Sequence, residues 1–187
     1  PPITYNLDCI KTSFFLQFFA ANAIINLMLT IKSVKTAIEK QIALPVASIS
    51  IVELVDLLVE YAYIARSSDL HIEPAEKKVA VRLRIDGILQ DAFFVDKEIQ
   101  SEIVSRIKVL AGLKTDIHHI PQDGRFKAKV EGSGDIDIRV SIAPTYYGEN
   151  VVMRILSETI QAFALEELGF SKEQLERAQK AIRRPYG

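Results

Sequence analysis

Two hydrophobic periods run along this chain, one of two residues and one near 3.6, and between them they predict most of its elements. Val79, Val81, Leu83 and Ile85 alternate with Ala80, Arg82, Arg84 and Asp86, the pattern of a strand with one face in a core and a charged face outside. Asp86-Gly87 tolerates positive φ and predicts a tight hairpin turn, with Ile88 to Val95 returning as the partner strand. A second hairpin reads the same way: Phe126, Ala128 and Val130 alternate with Arg125, Lys127 and Lys129, Gly132-Ser133-Gly134 turns, and Ile136, Ile138, Val140 and Ile142 return opposite Asp135, Asp137, Arg139 and Ser141. After Pro144 and a Tyr146-Tyr147-Gly148 turn, Val151 to Leu156 is apolar at nearly every position except Arg154. That composition predicts a central strand.

The longer period marks helices. Ser50 and Glu53 have capping-box spacing ahead of an apolar run from Ile51 to Val59, which predicts a largely buried helix. A helix is expected over Lys97 to Leu113, with Ile99, Ile103, Ile107 and Leu110 as its stripe and Glu102 and Arg106 as an outward i, i+4 pair. Ser171 and Gln174 repeat the capping-box spacing before a helix striped by Leu175, Ala178 and Ile182, which Pro185 ends. Residues 32–48 predict a short helix stopping before Pro45, then a linker. Upstream, no charge occurs from Thr12 to Ile31. That stretch reads as a packed or interfacial helix, as a membrane span burdened by Gln17, Asn22 and Asn26, or as non-native sequence ahead of Met28.

The order of elements predicts an α+β domain with an antiparallel sheet partly covered by helices. Length supports one domain with an extra segment: the 187 residues can bury a sizeable core. Acids number 24 and bases 23, so there is no long-range field to gather nucleic acid or an anionic membrane, and no nucleic-acid partner is expected. The lone cysteine, Cys9, cannot close an internal disulfide, which fits a reducing, cytosolic compartment. No secretory signal peptide is evident, and a chain starting at Pro1 is read as a fragment.

Asp69, His71 and Glu73 would share one face of an extended segment, which invites a metal reading, but a facial site wants two histidines and one carboxylate. A hydrogen-bonded turn and strand start is the simpler assignment, and no metal is expected. His118 and His119 are adjacent, so their rings diverge and a loop role follows. Arg82, Arg84, Arg125, Arg139 and Arg154 fall on strands or strand ends, where a rigid sheet can aim guanidinium groups at phosphate oxygens. Nearby Asp86, Asp135, Asp137 and Glu149 allow the alternative of a mixed-charge solvent face. No G-x-x-x-x-G-K-[S/T] occurs, so this chain is not expected to hydrolyse ATP by itself, and no catalytic residue is assigned.

Five segments in order, Ser68-Asp-Leu-His-Ile-Glu-Pro74, Val81-Arg-Leu-Arg-Ile-Asp-Gly87, Pro121-Gln-Asp-Gly-Arg125, Asp137-Ile-Arg-Val-Ser141 and Gly148-Glu-Asn-Val-Val-Met-Arg-Ile-Leu156, resemble the type II secretion and type IV pilus assembly ATPases over Ala47 to Gly187. Arg184-Pro185-Tyr186-Gly187 resembles that family's lead-in to its phosphate loop. The resemblance implies a PAS-like antiparallel sheet flanked by helices over residues 47–157; it does not cover residues 1–46, which read from their own pattern as a separate apolar helical segment and linker. It implies that residues 158–187 are a linker and helix leading to a RecA-like ATPase core. It further implies a regulatory and oligomerisation domain of a homo-hexamer, cytoplasmic and peripheral at the inner membrane. ATP and Mg2+ would be bound mainly by that core, and secretion or pilus platform proteins would be partners. By the same resemblance Arg125 and Arg139, with Arg154 and Arg82 behind them, approach the nucleotide. The chain departs from the family pattern at Asn150, where Lys or Arg is usual, and at His118-His119, where basic residues are usual. Two other readings compete: a stand-alone PAS-like ligand-binding or signalling module, which needs a closed apolar pocket, and a metal enzyme built on Asp69, His71 and Glu73.

Overall fold

A computed structural model describes residues 26–130, 134–156 and 169–184; the apolar residues 12–25, Cys9, turn residues 132–133 and residues 185–187 lie outside the described part. The structure falls into two units, one ending at Ser157 and one starting at Glu158.

In the first unit, helix α1 (26–42) leads through a 3-10 turn to α2 (Ile51–Ile64), followed by β1 (Asp69–Pro74), β2 (Lys78–Ile85), β3 (Ile88–Asp96), α3 (Gln100–Leu110), β4 (Gln122–Val130), β5 (Gly134–Thr145) and β6 (Gly148–Leu156). The strands form a six-stranded sheet in the order β3-β2-β1-β6-β5-β4, antiparallel throughout. This is the expected α+β architecture, and it is compatible with a PAS-like arrangement. β6 is central as predicted; its neighbour β1, expected as a turn and strand start, is central too.

Inward positions of every strand feed one core with α2 and α3: Leu70, Ile72, Val79, Val81, Leu83, Phe93, Val95, Ile138, Ile142, Val151 and Met153 are buried beside Leu54, Leu58, Ile103 and Ile107. Each such side chain contributes roughly 1.5–3 kcal/mol of transfer free energy. Val34 and Ile38 of α1 join the same core, so that half of α1 packs with the sheet. Leu27, Met28 and Leu29 at its start are exposed. Among the described residues no helix is long and apolar enough to cross a membrane.

The turns follow local chemistry. Asp86 and Gly87 take φ of 50° and 80°, the mirror-image turn that matches strand twist. A bulge between Val81 and Arg82 shifts the β2–β3 register, so that Asp91 swings onto the outer face opposite Arg82. Pro144 is accommodated inside β5 because it lies past the end of β4, where β5 pairs with β6 alone.

Two sequence expectations change in detail. Ser50 caps α2 by accepting from the Glu53 N–H (3.4 Å), but the reciprocal bond is missing. Gln41 of α1 accepts from the Ser50 N–H instead (3.3 Å) and donates to the Glu53 carboxylate (2.7 Å). One amide that both donates and accepts thus bridges the box and ties α1 to α2. Arg106 pairs with Asp56 across α2 (3.8 Å) rather than with Glu102. In the second unit, α4 (Lys172–Ile182) begins with a complete capping box from Ser171 and Gln174 (2.9 and 3.3 Å).

Candidate functional site: an arginine row on the open face of the sheet

The inward residues leave the other face of the sheet to polar side chains, and register decides which of them become neighbours. Arg125 of β4 is the Cα partner of Arg139 on β5, Arg139 of Arg154 on β6, Arg154 of Asp69 on β1, and Asp69 of Arg84 on β2. Four arginines and one aspartate therefore stand in a single row across five strands. Directly opposed side chains start about 4.5–5.5 Å apart at Cβ, where like charges repel.

The cations in the row are not equivalent. Asp69 is buried; its Oδ1 accepts from Arg154 Nε at 3.0 Å, and its Oδ2 accepts from Ser68 Oγ at 2.9 Å and lies 3.4 Å from Arg84 Nε. Burial by itself would raise the Asp69 carboxyl, but the bonds from Arg154 and Ser68 and the charge of Arg154 outweigh it, and the net shift is downward. Arg125 and Arg139 are exposed and have no hydrogen bond or ion pair among the described residues. Arg82 stands outside the row, beside His71 and Asp91, and its guanidinium bonds Glu73 (3.2 Å) and Asp91 (2.8 Å). Those bonds, Glu73 first, hold its pKa above the ordinary arginine value.

Asp69, His71 and Glu73 share the outer face as their spacing required, and His71 Nδ1 lies 3.3 Å from Glu73 Oε1. Their carboxylates are engaged with arginines of neighbouring strands. Among the described residues no His, Cys, Asp or Glu group of three or more is gathered as a metal site would need.

Gly124 explains the glycine beside Arg125. A Cβ there would lie 2.7 Å from the Ala111 carbonyl oxygen and 2.9 Å from Leu113 Cδ2, so only glycine lets β4 come this close to the end of α3. Behind the sheet, Lys108 of α3 is fully buried, 2.7 Å from Glu149 Oε1 but off hydrogen-bond geometry, and it donates to Oε2 at 3.0 Å and to the Ile117 carbonyl at 2.7 Å. His118 Nδ1 donates to the same Oε2 at 2.8 Å. The loop role expected of His118 is thus a specific one: it closes the outer side of a buried ion pair. Sequence reasoning missed this pair, although Lys108 falls on the buried side of α3 beside Val104 and Glu149 falls in the inward set of β6.

Comparison with known proteins assigns the family. The profile of the Type II/IV secretion system protein family matches residues 46–187. The type IV pilus assembly ATPase PilB of Myxococcus xanthus is 41% identical over 137 residues, 73% of this chain and 24% of that protein. The type II secretion system protein E of Xanthomonas campestris is 38% identical over the same shares. The type II secretion system protein HxcR of Pseudomonas aeruginosa is 40% identical over 73% of this chain and 29% of its own length. The chain spans about a quarter of the length of the first two relatives. The chain accordingly belongs to the type II/IV secretion system protein family.

Proposed function

We propose that this chain is the amino-terminal regulatory domain of a hexameric ATPase that powers type II secretion or type IV pilus assembly, and that its arginine row meets the phosphates of ATP held by a following core. The observation that carries this reading is the row itself. Arg125 and Arg139 stand adjacent, exposed and unpaired among the described residues, on strands whose inner faces are buried. Like charges in register destabilise the sheet, and a polyanion would relieve that repulsion. Guanidinium groups suit phosphate oxygens, so in this reading the domain takes the outer phosphates while the core holds ATP and Mg2+. Arg125 and Arg139 are the foremost contacts and Arg154 follows. Arg82 is held by two carboxylates.

An arginine that touches phosphate only when the two domains are closed shifts their equilibrium by the energy of that contact. A hydrogen bond to a charged group contributes about 1.5–3 kcal/mol, so one such arginine biases closure on the order of 10- to 100-fold. A cytoplasmic location at the inner membrane, beside platform proteins, belongs to the same reading. In a protein joining this domain to an ATPase core of the family, Arg139→Ala is expected to lower ATP turnover at least several-fold while leaving thermal unfolding near wild type. Unchanged turnover would remove Arg139 from the site.

A further inference from the structure

The row contains its own anion. Asp69 stands between Arg154 and Arg84 at Cα-partner positions, with its carboxylate bonded to Arg154 Nε and close to Arg84 Nε. Arg154 is still well exposed, its side chain 65% accessible, whereas Asp69 is almost wholly covered. The carboxylate is therefore the fixed partner and the guanidinium the movable one. Two and three strands away, Arg139 and Arg125 have no such partner among the described residues. A phosphate chain arriving at the row meets two free guanidiniums and a third that is already satisfied.

We propose that Asp69 is a positioning residue that competes with phosphate for Arg154 and Arg84, so that Arg125 and Arg139 engage first and Arg154 joins only by leaving Asp69. This rests on the row being a phosphate site. It adds that the site's affinity is held down, and its order of engagement set, by a carboxylate inside the row. Ser68 Oγ, which donates to Asp69 Oδ2, keeps the carboxylate aimed when Arg154 departs.

The test uses the 187-residue chain with inorganic tripolyphosphate, followed by titration calorimetry near pH 7.5 at physiological salt. Removing one negative charge about two strand spacings from bound phosphate tightens binding on the order of threefold to tenfold by Coulomb's law with an effective dielectric between protein surface and water. Asp69→Asn is expected to show that gain, and Asp69→Glu, which keeps the charge, is not. Arg154→Gln should weaken binding less than Arg139→Gln does in the wild-type background, and more strongly once Asp69→Asn has freed Arg154. Equal losses from Arg154→Gln and Arg139→Gln would overturn the proposal even if Asp69→Asn folds poorly. So would an Asp69→Asn variant that binds no tighter than wild type. If Arg125→Gln and Arg139→Gln both bind as wild type, the phosphate reading of the row fails instead, which separates the two ideas.

Discussion

Lys108→Met is the sharpest probe of how the sheet is held behind its charged face. Methionine keeps the aliphatic stem that packs in α3 but removes the ammonium between Glu149 and the Ile117 carbonyl. Ile117 stays partnered, because Gln122 Nε2 also donates to its carbonyl at 3.0 Å. Glu149, with a side chain only 9% accessible, is left with His118 alone. Removing one member of a buried ion pair leaves an uncompensated charge and costs about 3–5 kcal/mol. At roughly 2–4 °C per kcal/mol for a domain of this size, the melting temperature should fall by about 10 °C. Replacing both members, Lys108→Met with Glu149→Leu, removes the stranded charge, and the double variant should recover most of the loss. Urea and thermal unfolding followed by far-UV circular dichroism read these values; the chain contains no tryptophan to report by fluorescence. A single variant costing under about 1 kcal/mol, or a double variant less stable than both singles, would refute the reasoning.

Asp69 carries an acid-side prediction. Its folded pKa lies below the ordinary 3.8, so its contribution is fully present above that value and is lost as pH falls through the folded pKa. The stability gap between wild type and Asp69→Asn should be constant from pH 7 to about pH 5 and shrink below pH 4. A gap unchanged down to pH 2.5 would contradict the assignment. Gly124→Ala forces a Cβ against the Ala111 carbonyl and Leu113, and should cost about 1–3 kcal/mol by overpacking. A melting temperature equal to wild type would show that β4 can move away from α3.

The sequence reveals most where one face of an element is wet. β2, β4 and β5 alternate cleanly because their outer faces meet solvent, and Asp86-Gly87 announces its turn because few residues other than glycine, asparagine and aspartate adopt positive φ readily. Long-range pairing is what local pattern cannot carry. β1 pairs with β6 across 85 residues of sequence, Asp69 with Arg154, and nothing near Asp69 marks it as the partner of an arginine so far along the chain. The Asp69, His71 and Glu73 group was legible as one face but not as two separate engagements, Asp69 with Arg154 and Arg84, and Glu73 with His71 and Arg82. The buried Lys108–Glu149 pair did leave a signal, a charge on the apolar side of each element. Arg106 shows the opposite limit: i, i+4 spacing offered Glu102, and packing of α3 beside α2 offered Asp56.

Register joins the core to the charged face. Arg139 lies between Ile138 and Val140, and Arg154 between Met153 and Ile155, all four of which are buried. Neither backbone can shift to ease the repulsion between the two guanidiniums without drawing those residues out of the core, at roughly 1.5–3 kcal/mol for each side chain exposed. A slip of one residue between β5 and β6 would put one strand's apolar set on the wrong face, so the packing that fixes the fold also fixes the arginines opposite one another. Relief must come from the side chains, by splaying apart, or from an anion. Asp69 supplies one anion within the row, on β1; toward β4 the row itself holds no carboxylate, and Asp123 and Asp137, two residues along the same outer face, make no ion pair with Arg125 or Arg139 among the described residues. If the row takes phosphate as proposed, the pull on the incoming chain is therefore greatest over Arg125 and Arg139 and falls toward β1.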